Sequence, residues 1–356
     1  MKLEELGFNN ELREYRKNHN LESFEVGRVA AEHKERYIVK TEKGELEGEI
    51  IGNLRFTAQS RSDFPAVGDW VSISEYDEDK VLIHSIYPRR SIIERQAVGK
   101  QGEKQIIATN IDVALIMQAV DRDFNINRIE RYLTICHNSG VIPIIILNKI
   151  DLISISETTI MENSIAERIP NIRIIKTSNE TKEGLNKILE LIEKGKTYCL
   201  LGSSGVGKSS LVNSLTGRYI AKTNDISTST NRGKHITTSR ELFVLENGGI
   251  IIDNPGMREV GVADSDAGLQ ATFEKIIEIS KNCKYADCTH TNEDGCSVII
   301  AVDSGEIDNI SYNNYLTLER EKEHFESTVA ERRKKDKDFG KMVKEFKKIK
   351  SKNKFR

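Results

Sequence analysis

One stretch of eight residues, Gly202-Ser-Ser-Gly-Val-Gly-Lys-Ser209, limits what this chain can fold into more than any other. It matches the phosphate-loop pattern G-x-x-x-x-G-K-[ST], whose glycines let successive backbone N–H groups point at the phosphates of a nucleotide. A short apolar run at 197–201 precedes it, and an amphipathic run at 210–216 ends at Gly217. Strand, loop and helix follow in the order that the pattern requires, so the stretch predicts a nucleotide site and not a turn without a ligand.

The residue types of this loop also predict separate roles. The Lys208 ammonium is expected to reach the β- and γ-phosphates and to take part in catalysis, and the Ser209 hydroxyl is expected to bind Mg²⁺. The N-terminus of the following helix adds its positive dipole end. The predicted phosphate-binding residues are Gly202, Ser203, Ser204, Gly205, Val206, Gly207, Lys208, Ser209 and Ser210.

The length of the chain, 356 residues, suggests two or three domains. Its net charge of −2 hides an asymmetry, because residues 332–356 hold 13 Lys/Arg against 3 Asp/Glu and so carry +10, which leaves −12 for the rest. This basic tail fits either a nucleic-acid-binding arm or a solvated charged helix without a partner. The charged first residues do not resemble a signal peptide, and the longest apolar run, 141–147, is too short to span a membrane. We therefore expect a cytoplasmic protein that does not bind membranes.

Five β-type runs between residues 25 and 88 predict a small barrel. They lie at 26–30, 36–40, 45–51, 70–74 and 80–84, and polar turns separate most of them. Five short strands suit an OB-fold, whose open face often binds oligonucleotides. Trp70 fits the core of such a barrel better than a base-stacking surface. Residues 1–24 then form an N-terminal extension, and the Gly/Gln/Lys-rich residues 89–105 are predicted to be a linker.

Strands and helices alternate from residue 106 to about residue 262, which predicts a mostly parallel sheet covered by helices on both faces. A nucleotide binds at the carboxyl edge of such a sheet, where the loops follow the strands. The predicted strands lie at 113–119, 142–147, 172–177, 197–201, 242–245 and 250–252, and the predicted helices at 128–138, 157–168, 182–193 and 208–215.

Two loops at strand ends predict guanine recognition. The apolar run 144–147 ends in Asn148-Lys-Ile-Asp151, the N-K-x-D pattern of guanine-specific GTPases. Both oxygens of Asp151 can accept from guanine N1–H and N2–H₂, a pairing that adenine does not offer. Asn148 is expected to contact the acceptor edge of the base, and the Lys149 stem is expected to cover its face. At the end of the next strand, Thr177-Ser178 can supply a backbone N–H to guanine O6.

A third loop, Asp253-Asn-Pro-Gly256, predicts the γ-phosphate side of the site. Asp253 would hold Mg²⁺ through water, and the Gly256 N–H would approach the γ-phosphate, so Gly256 is a candidate catalytic residue. The polar residues 225–240, between the phosphate loop and this loop, are expected to become ordered when a nucleotide binds. They contain Thr237 and Thr238, either of which could complete the Mg²⁺ site.

The order of these motifs predicts a circular permutation. GTPases with these motifs usually begin with the phosphate loop and end with the guanine loops, whereas here Asp151 and Ser178 precede Gly202. The same sheet can still close, because domain termini commonly lie close together. The chain then leaves the domain directly from its γ-phosphate side.

The cysteines predict a metal site beyond that point. Cys283, Cys288, His290 and Cys296 fall within fourteen residues and can close a tetrahedral, structural Zn²⁺ site. Helical patterns at 267–280 and 312–333 surround this set, which makes residues 263–356 a zinc-binding helical domain with a basic tail. The alternative is free buried cysteines beside a surface histidine. Cys136 and Cys199 lie in apolar runs and are expected to be core residues.

Together these features resemble the ribosome small-subunit-dependent GTPase A (RsgA) family over nearly the full chain. The resemblance implies an OB-fold barrel, a circularly permuted GTPase domain and a zinc domain that act in late maturation of the small (30S) ribosomal subunit. It implies binding to 16S rRNA, GTP hydrolysis stimulated by that subunit, and release on hydrolysis; we expect a monomer. The residues that carry it are Asn148-Lys-Ile-Asp151, residues 202–210, Gly233-Lys-His-Ile-Thr-Thr238, residues 253–256 with Arg258-Glu259, and the Cys283, Cys288, His290 and Cys296 set.

The group that positions the attacking water is left open. Ras-like enzymes use a glutamine directly after the D-x-x-G glycine, and here Met257 stands there and cannot hydrogen-bond to water. His235 is the nearest candidate, as is proposed for the matching histidine of the resembled family, and a group supplied by the partner is the alternative. Ile236 and Asn254 depart from the family's usual residues. The rival hypotheses are an RNA-binding assembly protein with a structural nucleotide, an ATP-using protein, which Asp151 disfavours, and a GTPase that serves a different RNA.

Overall fold

The computed structural model describes residues 1–33, 36–58, 60–96, 104–121, 124–217, 240–254 and 266–327, with positions 334 and 337. Its first part is a short 3-10 turn, Leu3–Leu6, and helix α1 (Asn10–Asn18), which pack on a barrel. The barrel elements are β1 (Glu25–His33), β2 (Arg36–Lys40), β3 (Glu45–Ile50), α2 (Gly52–Thr57), β4 (Trp70–Asp77) and β5 (Lys80–Ile86).

The barrel closes in the strand order β1-β2-β3-β5-β4, with β4 pairing back onto β1. Strand β3 alternates exposed and buried residues, as a strand with one face on a core requires. Trp70 is 2% exposed, and its ring lies 5.0 Å from that of Phe8, so it is a core residue as expected. The five-stranded barrel of the prediction is confirmed.

The predicted linker, residues 89–105, holds strand β6 (Ile92–Gln96) and the start of β7 (Lys104–Thr109), which pair as a separate two-stranded sheet. Arg89, at its start, forms an ion pair of 2.7 Å with the buried carboxylate of Asp69 and donates to two barrel carbonyls. The connection between barrel and GTPase domain is therefore tied down at its barrel end.

A mixed sheet and its helices follow, as the alternating pattern predicted. Five of its strands run parallel in the order β10-β9-β8-β11-β13, and β12 pairs antiparallel with β13 at one edge. The elements are β8 (Val113–Ala119), α3 (Ile126–Asn138), β9 (Ile142–Asn148), α4 (Ile155–Arg168), β10 (Ile174–Lys176), α5 (Leu185–Leu191), β11 (Thr197–Leu201), α6 (Lys208–Thr216), β12 (Glu241–Val244) and β13 (Ile250–Asp253).

Alternate residues of the central strands feed two cores, one on each face of this sheet. Ile116 and Leu201 belong to one core, and Leu115 and Leu200 belong to the other. Burial on both faces is why strands such as β9 are continuous apolar runs. Strand β1 of the barrel also pairs with β12 through Ala31 and Glu241, so barrel and GTPase domain share one eleven-stranded sheet.

The last described part is helical: α7 (Asp266–Thr272), α8 (Glu274–Ser280), α9 (Ser297–Asp303) and α10 (Asn309–Glu326). The pattern at 267–280 predicted one helix, and the structure has two. Phe273 separates them with a non-helical backbone, and its buried ring packs edge-on against Tyr315 at 5.4 Å. Within the described residues, no helix is both long and apolar enough to cross a membrane.

Candidate functional site

The phosphate loop joins β11 to α6 at the carboxyl edge of the sheet. Gly202, Gly205 and Gly207 have φ of +149°, +86° and +101°, a region that side chains rarely adopt. A Cβ on Gly202 would lie 2.5 Å from the Met117 carbonyl oxygen, and one on Gly207 would lie 2.3 Å from Asn148 Nδ2. A Cβ on Gly205 would meet nothing within 4 Å, so this glycine lines the open side of the loop.

Lys208 lies across this loop with its side chain buried. Its Nζ donates to the carbonyl oxygens of Gly202 and Ser203, both at 2.7 Å. Burial lowers the pKa of Lys208 to about 8, and the Asp253 carboxylate acts in the opposite direction. Two neutral carbonyl oxygens offset only part of the cost of burying the charged Lys208 ammonium. Binding of an anion beside Lys208 is therefore favourable.

Asp253 ends β13 beside the phosphate loop and is 6% exposed. Its Oδ1 has no hydrogen-bond partner among the described residues, and burial raises its pKa while Lys208 lowers it. Ser209, half-buried at the start of α6, offers a hydroxyl oxygen in the same loop. A buried carboxylate oxygen without a described partner and a hydroxyl at the start of α6 are the oxygen ligands that a hard cation such as Mg²⁺ prefers.

The loop after β9 is held against the phosphate loop by Asn148, which is fully buried. Its Nδ2 donates to the Val206 carbonyl oxygen at 2.8 Å, and its Oδ1 accepts from the Thr177 hydroxyl at 3.2 Å. One of the two amide N–H groups is thereby used, and no described residue accepts from the other. Asn148 therefore joins the loops after β9, β10 and β11, a role that its position in the sequence did not predict.

Asp151 and Ser178, the residues predicted to contact guanine, meet each other through their side chains. The Ser178 hydroxyl donates to the exposed Asp151 carboxylate. The Ser178 backbone N–H, predicted to face guanine O6, instead donates to the Glu183 carbonyl oxygen at 3.0 Å, and the Thr177 N–H donates to Leu147 at 2.8 Å. The predicted backbone donor at Ser178 is therefore already used within its own loop.

The next residue, Asn179, is one that the sequence did not single out. Its Nδ2 donates to the Gly207 carbonyl oxygen at 3.0 Å, and its buried Oδ1 has no partner in the described part of the chain. No described acceptor takes its backbone N–H either. The signal in the sequence that could have identified Asn179 is its side-chain amide directly after the Thr177-Ser178 pair at the end of the strand.

Two charged residues at this edge make further contacts, and the sequence singled out the first, Lys149, but not the second, Arg128. Lys149 has φ of +65°, and its Nζ forms an ion pair of 2.8 Å with Asp121, which follows β8. Arg128, in the first turn of α3, donates to the Ser203 hydroxyl at 3.3 Å. The predicted residues His235, Thr237, Thr238 and Gly256 lie outside the described residues, as does the basic tail apart from positions 334 and 337.

The four predicted zinc ligands form one cluster in the helical domain. Cys283 Sγ lies 3.9 Å from Cys296 Sγ and 3.6 Å from His290 Nδ1, and Cys296 Sγ lies 3.5 Å from that nitrogen. With Cys288, all four ligand atoms lie within 4.8 Å of one another. Tetrahedral Zn²⁺ requires about 3.8 Å between sulfurs and about 3.6 Å between sulfur and nitrogen. The cluster fits that ion closely.

Local contacts hold this cluster in place. Cys296 caps α9, and its sulfur accepts from the Ile299 N–H at 3.5 Å. His290 has φ of +58°, and its carbonyl oxygen accepts from the Tyr312 hydroxyl on α10. The ligands are thus fixed between two helices.

Known proteins are similar to this chain in sequence. The family model for the RsgA GTPase matches residues 86–263. "Small ribosomal subunit biogenesis GTPase RsgA 2" of Lactiplantibacillus plantarum is 41% identical over 296 residues, 83% of each chain. "Small ribosomal subunit biogenesis GTPase RsgA 1" of Bacteroides thetaiotaomicron is 38% identical over 328 residues, 91% of each chain. The protein of that name from Listeria innocua is 43% identical over 297 residues, 83% of each chain.

Two solved structures have a similar fold. YjeQ from Thermotoga maritima has a TM-score of 0.58 and 24% identity, over 83% of this chain and 96% of that one. YloQ, described as a circularly permuted GTPase, has a TM-score of 0.60 and 23% identity, over 87% of this chain and 99% of that one. The predicted fold class, with a barrel, a permuted GTPase domain and a helical domain with a Cys/His cluster, is confirmed.

Proposed function

This chain belongs to the RsgA GTPase family, and from that premise we propose that it is a late assembly factor of the small (30S) ribosomal subunit. It hydrolyses GTP to GDP and phosphate, and hydrolysis times its release from the subunit. The observation that carries the proposal is the bracing of the guanine loops onto the phosphate loop: Asn148 and Asn179 donate to the carbonyls of Val206 and Gly207. Base recognition and phosphate binding therefore belong to one rigid site.

Guanine is recognised by Asp151, whose two oxygens accept from N1–H and N2–H₂ of the base. The Ser178 hydroxyl orients that carboxylate, and the Asn179 N–H supplies the donor to guanine O6. The Lys149 stem covers the face of the base, with its ammonium on Asp121. Adenine carries an amino group at C6 in place of the guanine oxygen, so its N–H donor would face the Asn179 N–H donor and adenine would be disfavoured.

Lys208 leaves its two carbonyl acceptors and bonds to the β- and γ-phosphates, and the backbone of residues 202–210 surrounds them. Ser209, Asp253 through water, and Thr237 or Thr238 would hold Mg²⁺, which would neutralise part of the phosphate charge. The Gly256 N–H meets the γ-phosphate. His235 or a group from the subunit orients the attacking water, because Met257 lacks a polar atom for that task.

Cys283, Cys288, His290 and Cys296 hold one structural Zn²⁺, since four protein ligands leave no open position for a substrate. The barrel and the basic residues 332–356 contact 16S rRNA, and the chain acts as a monomer in the cytoplasm. The proposed domains are the extension 1–24, the barrel 25–88, the connecting segment 89–105, the GTPase domain 106–262 and the zinc domain 263–356.

The test is GTP turnover by the purified chain with small subunits, large subunits, bare rRNA or no addition. Selective stimulation by small subunits is the expected result, and Lys208→Ala should remove both basal and stimulated turnover. Lys187→Ala, which changes an exposed lysine on α5, is the matched control and should behave as the unmodified chain. Stimulation by large subunits alone would assign another RNA partner. Tight GTP binding with flat turnover under every addition would favour an RNA-binding protein with a structural nucleotide.

A further inference from the structure

A cavity of about 520 Å³ lies at the edge of the GTPase sheet opposite the nucleotide loops. Strand β11 ends at the phosphate loop, whereas the cavity borders its first residue, Thr197, and Asp112, which precedes β8. The N-terminal segment contributes Phe8 and Leu12, and the barrel contributes Arg28. The cavity is thus enclosed by three parts of the chain, and its volume is in the range of about 300–1,000 Å³ that is typical of small-molecule sites.

Arg28 is the polar centre of this cavity and is 1% exposed. Its guanidinium donates to Leu6 O at 2.6 Å, Gly68 O at 3.1 Å, Asn110 O at 3.4 Å and Thr197 Oγ1 at 2.9 Å. These four bonds use four of its five N–H donors, and the fifth, on Nη1, has no acceptor among the described residues. No described carboxylate forms an ion pair with Arg28, and burial lowers its pKa to about 10.

The charged residues that line the cavity are five cations, Arg28, Arg89, Arg90, Lys194 and Lys196, and three carboxylates, Glu4, Glu11 and Asp112. Arg90 and Lys196 share the single Asp112 carboxylate, at 2.7 and 3.4 Å. Glu4, at the rim, pairs with Arg13 on α1. Asp112 and Asp69 compensate the buried Arg28 in part, and the lining keeps an excess of positive charge that favours an anion.

The walls beside Arg28 are aromatic. The guanidinium lies over Trp70, 5.3 Å from the ring centre, and the Phe8 and Tyr15 rings line the cavity next to it. A flat apolar group would find contact here, while an acidic group would reach the cationic side.

We propose that this cavity is a binding site for a small anion that carries an aromatic group, with the acidic group on the Arg28, Arg90 and Lys196 side and the ring against Phe8 and Tyr15. Such a ligand would hold the N-terminal segment, barrel and GTPase domain together from the edge opposite to GTP. The site is separate from the proposed GTP site, because none of its lining residues belongs to the nucleotide loops.

The probe is 1-anilinonaphthalene-8-sulfonate, titrated by fluorescence into the full chain saturated with Mg²⁺ and GDP. One saturable site per chain is expected. N-phenyl-1-naphthylamine, the same ring system without the sulfonate, should bind at least about tenfold more weakly, because it lacks the charge. The site should also weaken as ionic strength rises.

Lys196→Glu is the decisive variant, since a substitution at Arg28 would remove four bonds that join the three parts and could unfold the chain. Lys196 is half-exposed, and its reversal should weaken the sulfonate probe about tenfold or more. Lys187→Glu makes the same change on an exposed face of α5 away from the cavity and should leave the affinity unchanged. Equal affinities for the two probes, several unsaturable sites, or no effect of Lys196→Glu would each overturn the proposal.

Discussion

Replacing Gly207 by alanine tests whether the guanine loops brace the phosphate loop. The new Cβ would lie 2.3 Å from Asn148 Nδ2 and 2.8 Å from Asn179 Nδ2. Cβ atoms do not approach other atoms so closely, and both amides are already bonded to the loop. The substitution must therefore push the two asparagines away and break their bonds to the carbonyls of Val206 and Gly207.

The magnitude follows from comparison with Gly205 in the same loop. Both glycines have a positive φ, so alanine at either costs about 1–2 kcal/mol of backbone strain. At Gly205 nothing lies within 4 Å, and the cost ends there. At Gly207 the loss of two hydrogen bonds adds about 1 kcal/mol each. We expect Gly207→Ala to lower the free energy of unfolding by about 3–4 kcal/mol and Gly205→Ala by about 1–2 kcal/mol.

The assay is urea unfolding of the nucleotide-free chain followed by far-ultraviolet circular dichroism. Tryptophan fluorescence would report the wrong domain, because the only tryptophan, Trp70, lies in the barrel core. Adding Asn148→Ala to Gly207→Ala should cost less than the two separate changes combined, since the clash is then partly removed. Equal destabilisation by the two glycine variants, together with additivity in the double variant, would refute the bracing of these loops.

Three further results are expected. Asp151→Asn should shift nucleotide preference from guanosine towards xanthosine, measured by competition binding, and an unchanged preference would contradict base recognition by this residue. GDP affinity should fall about tenfold between pH 7 and pH 9, because Lys208 of the free chain loses its proton near pH 8 whereas phosphates favour its charged form. The same lysine should make the unfolding free energy of the free chain rise as the pH rises from 8 to about 10.5, because over that range the unfolded state binds more protons than the folded state. A GDP affinity that does not change with pH would exclude the low pKa of Lys208. Chelation should release one Zn²⁺ per chain, measured with a colorimetric dye, and lower the melting temperature of the helical domain, and Cys288→Ser should reproduce the loss of stability.

Sequence alone predicted those features that depend on residues adjacent in the chain. Strand β9 is a buried apolar run that ends in Asn148, and the phosphate loop has glycines where the backbone needs a positive φ. Both signals are local, since burial on two faces and a left-handed backbone each restrict the residue types at one position. The Cys/His spacing likewise placed four ligands within reach of one ion.

What the sequence missed depends on contacts between distant segments. Asn179 matters because parallel strands bring its loop beside Gly207, and its sequence neighbourhood resembles any polar turn. The strand at Ile92–Gln96 was hidden by the Gly- and Lys-rich residues after it, which favoured a linker. The helix break at Phe273 arises because its ring packs on Tyr315, a tertiary contact that overrides the local helical pattern.

Helix α3 explains how the permuted order joins the nucleotide site to the helical domain. Its first turn contacts the phosphate loop through Arg128 and Ser203. Two residues later, Glu130 is buried and accepts from Asn314 of α10 at 2.6 Å, with Arg168 as its counter-ion.

The rest of α3 also contacts the helical domain. Arg131 pairs with Glu321 of α10 through two bonds, of 2.5 and 2.7 Å. Helix α7, the first described element after the γ-phosphate strand β13, packs so closely on α3 that a Cβ on Gly268 would lie 2.1 Å from Thr134 O. Because the permutation places the helical domain after β13, that domain follows the γ-phosphate loop in the chain and docks on the helix that contacts the phosphate loop. A rigid helix with a buried ion pair at its centre thus connects the two sites over a few turns, and no flexible linker is needed between them.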